Sequence, residues 1–289
     1  MRLILLTAFA MLPLAANSVL NRMAMVRGGI DPVSFGMIRL SAGAVALVLL
    51  VAVLRGGLHW RMLGINRGVR WIGVGALLVY IFGFSLAHQE LDAGLGALIL
   101  FGVVQMTMFV GGLVQREAMP LLRWIGAGVA FGGLVWLLWP GAGLQISIVH
   151  GLLMALAGVG WGLYSLAGRA GGDAIIGTAA NFLLAALVAL GAGLLLPFGP
   201  PLRVTDGGGV ALAVLSGAVT SGMGYALWYS VLPNLAASVA AVVQLSVPVL
   251  ATILSVIVLG EVVTADFVLA AGLVLGGVAL SLLPGLSRR

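Results

Sequence analysis

Arg39 is the one charged residue that falls well inside a long apolar run, two helical turns from its start. A charge held in an apolar layer is costly, so such a residue is a candidate for binding or gating. Its long side chain could also snorkel to the nearer interface as a plain anchor, and the sequence leaves both readings open. Around it the chain offers uncharged polar and aromatic groups at helical spacing. Pro13, Asn17 and Asn21 stand at i, i+4 and i+8. Gly158, Trp161, Ser165 and Gly168 form a stripe with Tyr164 beside it, and Ser221, Tyr225 and Trp228 form another. Gln244, Pro248, Thr252 and Ser255 make a fourth, and Gln105 and Tyr80 project from two further runs. Amides and hydroxyls can serve an ammonium or a carboxylate, and aromatic rings can wall an apolar side chain. The candidate substrate-binding set is therefore Asn17, Arg39, Tyr80, Trp161, Tyr164, Tyr225 and Gln244. A site so weakly charged fits a small neutral or zwitterionic cargo with a broad range of side chains. Ser and Thr hydroxyls that bond back to their own helix, and Trp or Tyr at run ends that sit in interfacial belts, are the competing structural reading. Trp60, Trp71, Trp124, Trp139 and Trp228 fall under it.

Other chemistries lack their residues. There is no cysteine, which excludes disulfides, thiolate metal sites and cysteine nucleophiles. Glu90, Asp92, Glu117, Glu261 and Asp266 stand at the ends of apolar runs, so no mid-membrane carboxylate is available for cation or proton exchange. Phosphate-bearing cargo would call for several basic residues, and Arg39 is alone. His59 and His150 lie between runs, and His88 at a run end reads as a solvated interfacial residue. No histidine pair has metal-ligand spacing and no Gly-rich loop resembles a phosphate cradle. No enzyme, cofactor or metal is expected. All 14 basic residues are arginines, mostly in short connections, a pattern of membrane orientation and not of nucleic-acid binding.

These residues must be positioned by membrane helices. Of 289 residues 62% are apolar and 8% charged, far from a water-soluble composition. Apolar runs long enough to span a bilayer recur near 3–21, 33–54, 69–88, 92–114, 121–139, 148–168, 175–196, 209–231, 234–258 and 263–283. The first lacks a small-residue cleavage site and reads as a span, not a signal peptide. Ten spans put both termini on one side. Arg2, Arg55, Arg61, Arg67, Arg70, Arg116, Arg123, Arg169, Arg288 and Arg289 then share that side, against Arg22, Arg27 and Arg203, which makes it cytoplasmic. The expectation is a single all-α transmembrane domain over 1–289.

A shift of 144 residues aligns the fourth and fifth spans with the ninth and tenth without a gap. Ala93 meets Ala237, Ala97 meets Ala241, Glu117 meets Glu261 and Gly128 meets Gly272. Gly132-Gly133 meets Gly276-Gly277 and Pro140-Gly141 meets Pro284-Gly285. Two five-span repeats, about 1–143 and 144–289, are odd in number and so lie in opposite directions. That build recurs in secondary transporters, and also in channels. The small-xxx-small spacing of Gly128 and Gly132, and of Gly272 and Gly276, predicts close helix packing there, with a dimer interface as the other reading.

The stretch Ala236-Ala237-Ser238 through Pro248-Val249 to Leu259-Gly260-Glu261, then Gly272, Gly276-Gly277 and Val278, resembles the second repeat of the drug/metabolite transporter superfamily, EamA type. Glu117 with Gly128, Gly132 and Gly133 is a fainter copy in the first repeat. Within that superfamily the chain is most similar to the YddG-type exporters of aromatic and other neutral amino acids. The resemblance implies a central cavity lined by helices one to four and six to nine, with five and ten peripheral. It also implies export of amino acids or similar metabolites across the inner membrane of a bacterium; as to assembly, monomer and homodimer both stay open.

Overall fold

The computed structural model describes residues 2–56, 63–64, 67–114, 120–138, 147–168, 173–195, 206–231 and 243–282. Glu117, His59, Trp60, Trp139, Ala236 to Ser238, Pro140-Gly141 and Pro284-Gly285 lie outside them. The described chain is all-helical: α1 (Arg2–Arg27), α2 (Pro32–Arg55), α3 (Gly68–Ala87), α4 (Ala93–Val114), α5 (Leu121–Leu138), α6 (Ile148–Gly168) and α7 (Ala174–Leu195). Then come α8 (Gly207–Val231), α9 (Ser246–Leu259) and α10 (Ala265–Leu282). Among the described residues seven helices are long and apolar enough to cross a membrane, and α5, α9 and α10 contribute shorter apolar segments.

Short polar signals between the apolar runs set the helix ends. Asp31 caps α2 by accepting from the amides of Val33 and Ser34, both at 3.0 Å, with Pro32 at the first turn. Asp173 accepts from Ile175 and Ile176 at the start of α7, and Asp206 from Gly208 at the start of α8. Gly56 and Gly260 close α2 and α9 in the left-handed region, at φ 77° and 72°. Three of the eight carboxylates are thus consumed as helix caps, which is why acids gather at run ends.

Large apolar side chains such as Val53, Val114, Phe131, Leu152 and Ile257 are exposed. Such a surface suits lipid, which is itself apolar. Inside, α3 packs on α6, α4 on α6 and α9, α2 on α7 and α8, α1 on α8 and α9, and α5 on α10. Gly160 and Gly158 let the α6 backbone lie against α3 and α4. A methyl group at Gly160 would sit 2.8 Å from the Ala76 carbonyl oxygen, and one at Gly158 2.8 Å from that of Leu100. This seats Trp161 deep in the molecule.

Helices α5 and α10 do pack together, but not through the glycines the spacing selected. Gly128, Gly132, Gly272 and Gly276 have open space where a Cβ would be. The close approach is made by Gly133, against Leu273 and Val274, and by Gly277, against the backbones of Gly126 and Ala130. One position of register on the helix turns the face by about 100°, enough to send the first pair of glycines outward.

Candidate functional site

Arg39 is 0% exposed and does not snorkel. Its Nε donates to Ser221 Oγ at 3.0 Å, and one terminal nitrogen, Nη2, donates to the hydroxyls of Tyr80 at 3.0 Å and Tyr225 at 3.3 Å. The Tyr225 hydroxyl also bonds that of Tyr80 at 3.0 Å. The guanidinium carbon lies 5.3 Å from the ring centres of both Tyr80 and Phe84. These partners are all neutral, and Nη1 has no partner. Of the carboxylates on described residues, all stand at or beyond helix ends, and none pairs with Arg39. An arginine at the centre of a membrane helix costs about 2.5–3.5 kcal/mol on insertion scales. Hydrogen bonds to a charged group contribute roughly 1.5–3 kcal/mol each, so the hydroxyls can hold the cation, with one arm left free.

Trp161, 2% exposed, packs on both tyrosines of that cluster, with ring centres 4.9 Å from Tyr80 and 4.8 Å from Tyr225, and stacks on Tyr164 at 5.6 Å. Its indole Nε1 is buried without a partner. The Tyr164 hydroxyl sits beside Thr178 and Asn181 of α7. One aromatic body therefore joins α3, α6 and α8, with Arg39 of α2 at its polar edge.

Asn17 on α1 is bound to α8 through a segment the sequence does not announce. Residues Ser216–Met223 form a π-helical stretch inside α8, a local widening often found at functional sites. Its Ser216 and Thr220 hydroxyls donate to Asn17 Oδ1 at 2.7 and 2.6 Å, and Asn17 Nδ2 donates to Ser221 Oγ at 3.3 Å. Ser221 is thereby shared between Asn17 and Arg39.

One end of the bundle is tied by Arg22. It donates to the carbonyl oxygens of His88 at 3.0 Å and Gln89 at 2.7 Å, and pairs with Asp92 at 3.3 Å and Glu261 at 3.6 Å. Glu261 in turn accepts from the Ala93 amide at the start of α4, at 3.0 and 3.1 Å. The ends of α1, α3 and α9 and the start of α4 are thus fastened at one point. Burial raises the Glu261 carboxyl above its ordinary value, and the Asp92 charge adds to the rise. The Ala93 amide, Ser255 hydroxyl and Arg22 oppose it. At the opposite end Arg55 pairs with Asp173 at 3.0 Å, and Arg70 donates to the Gly177 carbonyl and Asn181 Oδ1.

Residues 150–283 match the EamA-like transporter family. The chain is 47% identical over 287 residues to a Pseudomonas aeruginosa protein described as "Uncharacterized protein PA1977", covering 99% of this chain and 96% of that one. The chain belongs to the EamA-like transporter family. A solved structure titled "Crystal structure of protein" superposes with a TM-score of 0.69 at 20% identity, over 100% of this chain and 99% of the other, a likeness of fold. As an EamA protein the chain is a multi-pass membrane transporter.

Within this EamA fold, Arg39, Tyr80, Trp161, Tyr164 and Tyr225 come together in one buried cluster, and Asn17 joins them through Ser221. Gln244 stands half-buried ahead of α9, and the hydrogen bonds of Arg39 go to Ser221, Tyr80 and Tyr225. Thr252 and Ser255 bond back to their own helix, as does Ser165 to Trp161. Trp71 and Trp124 are exposed in keeping with a belt, but Trp228 is buried. His88 is also not solvated. It is 0% exposed, with Nδ1 held by the Phe84 carbonyl oxygen at 2.9 Å and its ring against Phe84. Ser216, Thr220 and Phe84 are the site residues that spacing missed. The i, i+4 pair Ser216 and Thr220 was the available signal, but small hydroxyl residues are common on membrane helices.

Proposed function

We propose that the chain is a secondary transporter exporting small carboxylate-bearing metabolites, amino acids foremost, from the bacterial cytoplasm by alternating access. The observation that carries this reading is Arg39: a buried cation with neutral partners and one free donor arm is a receptor for a carboxylate. Its substrate-binding set is Arg39, Tyr80, Trp161, Tyr164 and Tyr225, with Asn17 holding Ser221 in place. In this reading ten helices span the membrane as two inverted repeats, 1–143 and 144–289, with both termini in the cytoplasm.

The packing supports a repeat. Exchanging α1 to α5 with α6 to α10 turns α3–α6 into α8–α1, α4–α6 into α9–α1, and α2–α8 into α7–α3, each a pair that packs. Tyr80 and Tyr225, whose hydroxyls meet, stand on helices exchanged in this way. A site drawn from both halves can be opened to either side by rocking one against the other. With Arg22 on the outer side, the Arg22–Asp92–Glu261 latch closes the outer end.

The test is a screen of metabolites released by cells expressing the protein, wild type beside Arg39→Gln. Selective accumulation of amino acids or related carboxylates outside wild-type cells alone is expected. Release of amines or sugars in their place, or equal release by the variant, would overturn the reading.

A further inference from the structure

We infer that the preferred cargo of the Arg39 site is a monocarboxylate anion with a planar apolar body, bound in preference to a zwitterion of the same skeleton. This inference rests on the proposed transport reading and sharpens its substrate class.

Arg39 brings a single positive charge into a fully buried cluster, and no carboxylate of a described residue reaches it. A monoanion on Nη1 would make the site neutral. A zwitterion would leave the net charge of site and cargo where it was and add an ammonium close to a guanidinium. Like charges at short range in a poorly solvated site repel strongly. The unused groups agree. Among the residues that touch Tyr80 or Tyr225, the two buried atoms without partners are Arg39 Nη1 and Trp161 Nε1, and both only donate; the orphaned acceptors Asn21 Oδ1 and His88 Nε2 lie beyond them, at the end of α3. Of the hydroxyl oxygens that could accept from an ammonium, that of Tyr80 already accepts from Arg39 Nη2 and Tyr225, that of Ser221 from Arg39 Nε and Asn17 Nδ2, and that of Tyr225 accepts from Arg39 Nη2 while donating to Tyr80. A carboxylate presents two acceptor oxygens and no donor, which matches this pair. The rest of the cargo meets rings: Trp161 touches Tyr80, Tyr164 and Tyr225, Phe84 lies against Tyr80, and Phe182 against Tyr225. Flat apolar groups pack favourably on such faces.

The test uses four probes of one skeleton on the full-length protein in nanodiscs, by calorimetry: phenylpropionate, L-phenylalanine, phenylpropionamide and phenethylamine. The expected order is phenylpropionate tightest, phenylalanine at least ten-fold weaker, and no measurable binding of the amide or the amine. Trp161→Phe, which keeps a ring and removes the indole donor, should weaken phenylpropionate several-fold while the melting temperature holds. Arg39→Gln should abolish its binding. Phenylalanine binding as tightly as phenylpropionate, with both lost in Arg39→Gln, would overturn this inference and leave the carboxylate site intact. Probes that bind equally to wild type and Arg39→Gln, or to neither, would overturn the site itself. Binding of phenylpropionate unchanged in Trp161→Phe would remove the indole from the receptor and overturn the two-donor geometry.

Discussion

Asn17 and Arg39 share Ser221, yet they differ in what their loss should do. Replacing Asn17 with alanine strips an acceptor from the Ser216 and Thr220 hydroxyls and a donor from Ser221, all buried. Thr220 keeps its bond to the Ser216 carbonyl and Ser221 its bond from Arg39, but the buried Ser216 hydroxyl is left unpaired, at a cost of about 1–3 kcal/mol. Asn17→Ala should therefore lower the melting temperature clearly as well as transport, which a thermal scan of the purified protein would show. A variant as stable as wild type would make the Asn17 bonds dispensable. Spacing alone put Asn17 in the cargo's path with folding unaffected. The bonds to the π-helical stretch give it a structural task that no one-dimensional pattern displays, because the partners are about two hundred positions away. Arg39, Tyr80, Trp161 and Tyr225 were legible because a charge and large rings inside apolar runs are conspicuous.

At the scale of helices, the contact between α5 and α10 and the latch each give a prediction. Gly277→Leu would drive a side chain into the backbones of Gly126 and Ala130, whereas Gly276→Leu points into open space. Overpacking costs about 1–3 kcal/mol or more, so the first variant should melt well below the second. Equal melting points would deny the close approach. The latch predicts a pH dependence. The folded Glu261 carboxyl titrates above its ordinary 4.5, so its contribution to stability is complete below that value and is lost as the pH rises through the raised one. Relative to Glu261→Gln, which cannot ionise, wild type should lose melting temperature as the pH is taken from 4.5 to 8. A constant difference between the two would place Glu261 in ordinary solvent. Helix existence and order were readable from apolar runs and their breakers. Facing was not, since a membrane helix apolar on all sides carries little amphipathic signal to orient it.

For the whole molecule, the bias of the arginines predicts one orientation. Ile65→Cys should be shielded from impermeant thiol reagents in intact cells and Val204→Cys labelled, on a chain without native cysteine. The reverse pattern would invert the orientation. The family could be read from the sequence because the Leu259-Gly260-Glu261 motif survives in it, while the cargo could not, because charge balance depends on which groups meet. The claim on which the rest depends is that a carboxylate is carried on Arg39 between two halves. Counterflow of labelled phenylpropionate and labelled phenylalanine into proteoliposomes, for wild type, Arg39→Gln and the lipid-facing control Trp71→Phe, tests it most directly. Saturable counterflow is expected in wild type and control, and none above background in Arg39→Gln. Flux that rises linearly with concentration, as through a channel, or full counterflow in Arg39→Gln, would contradict it.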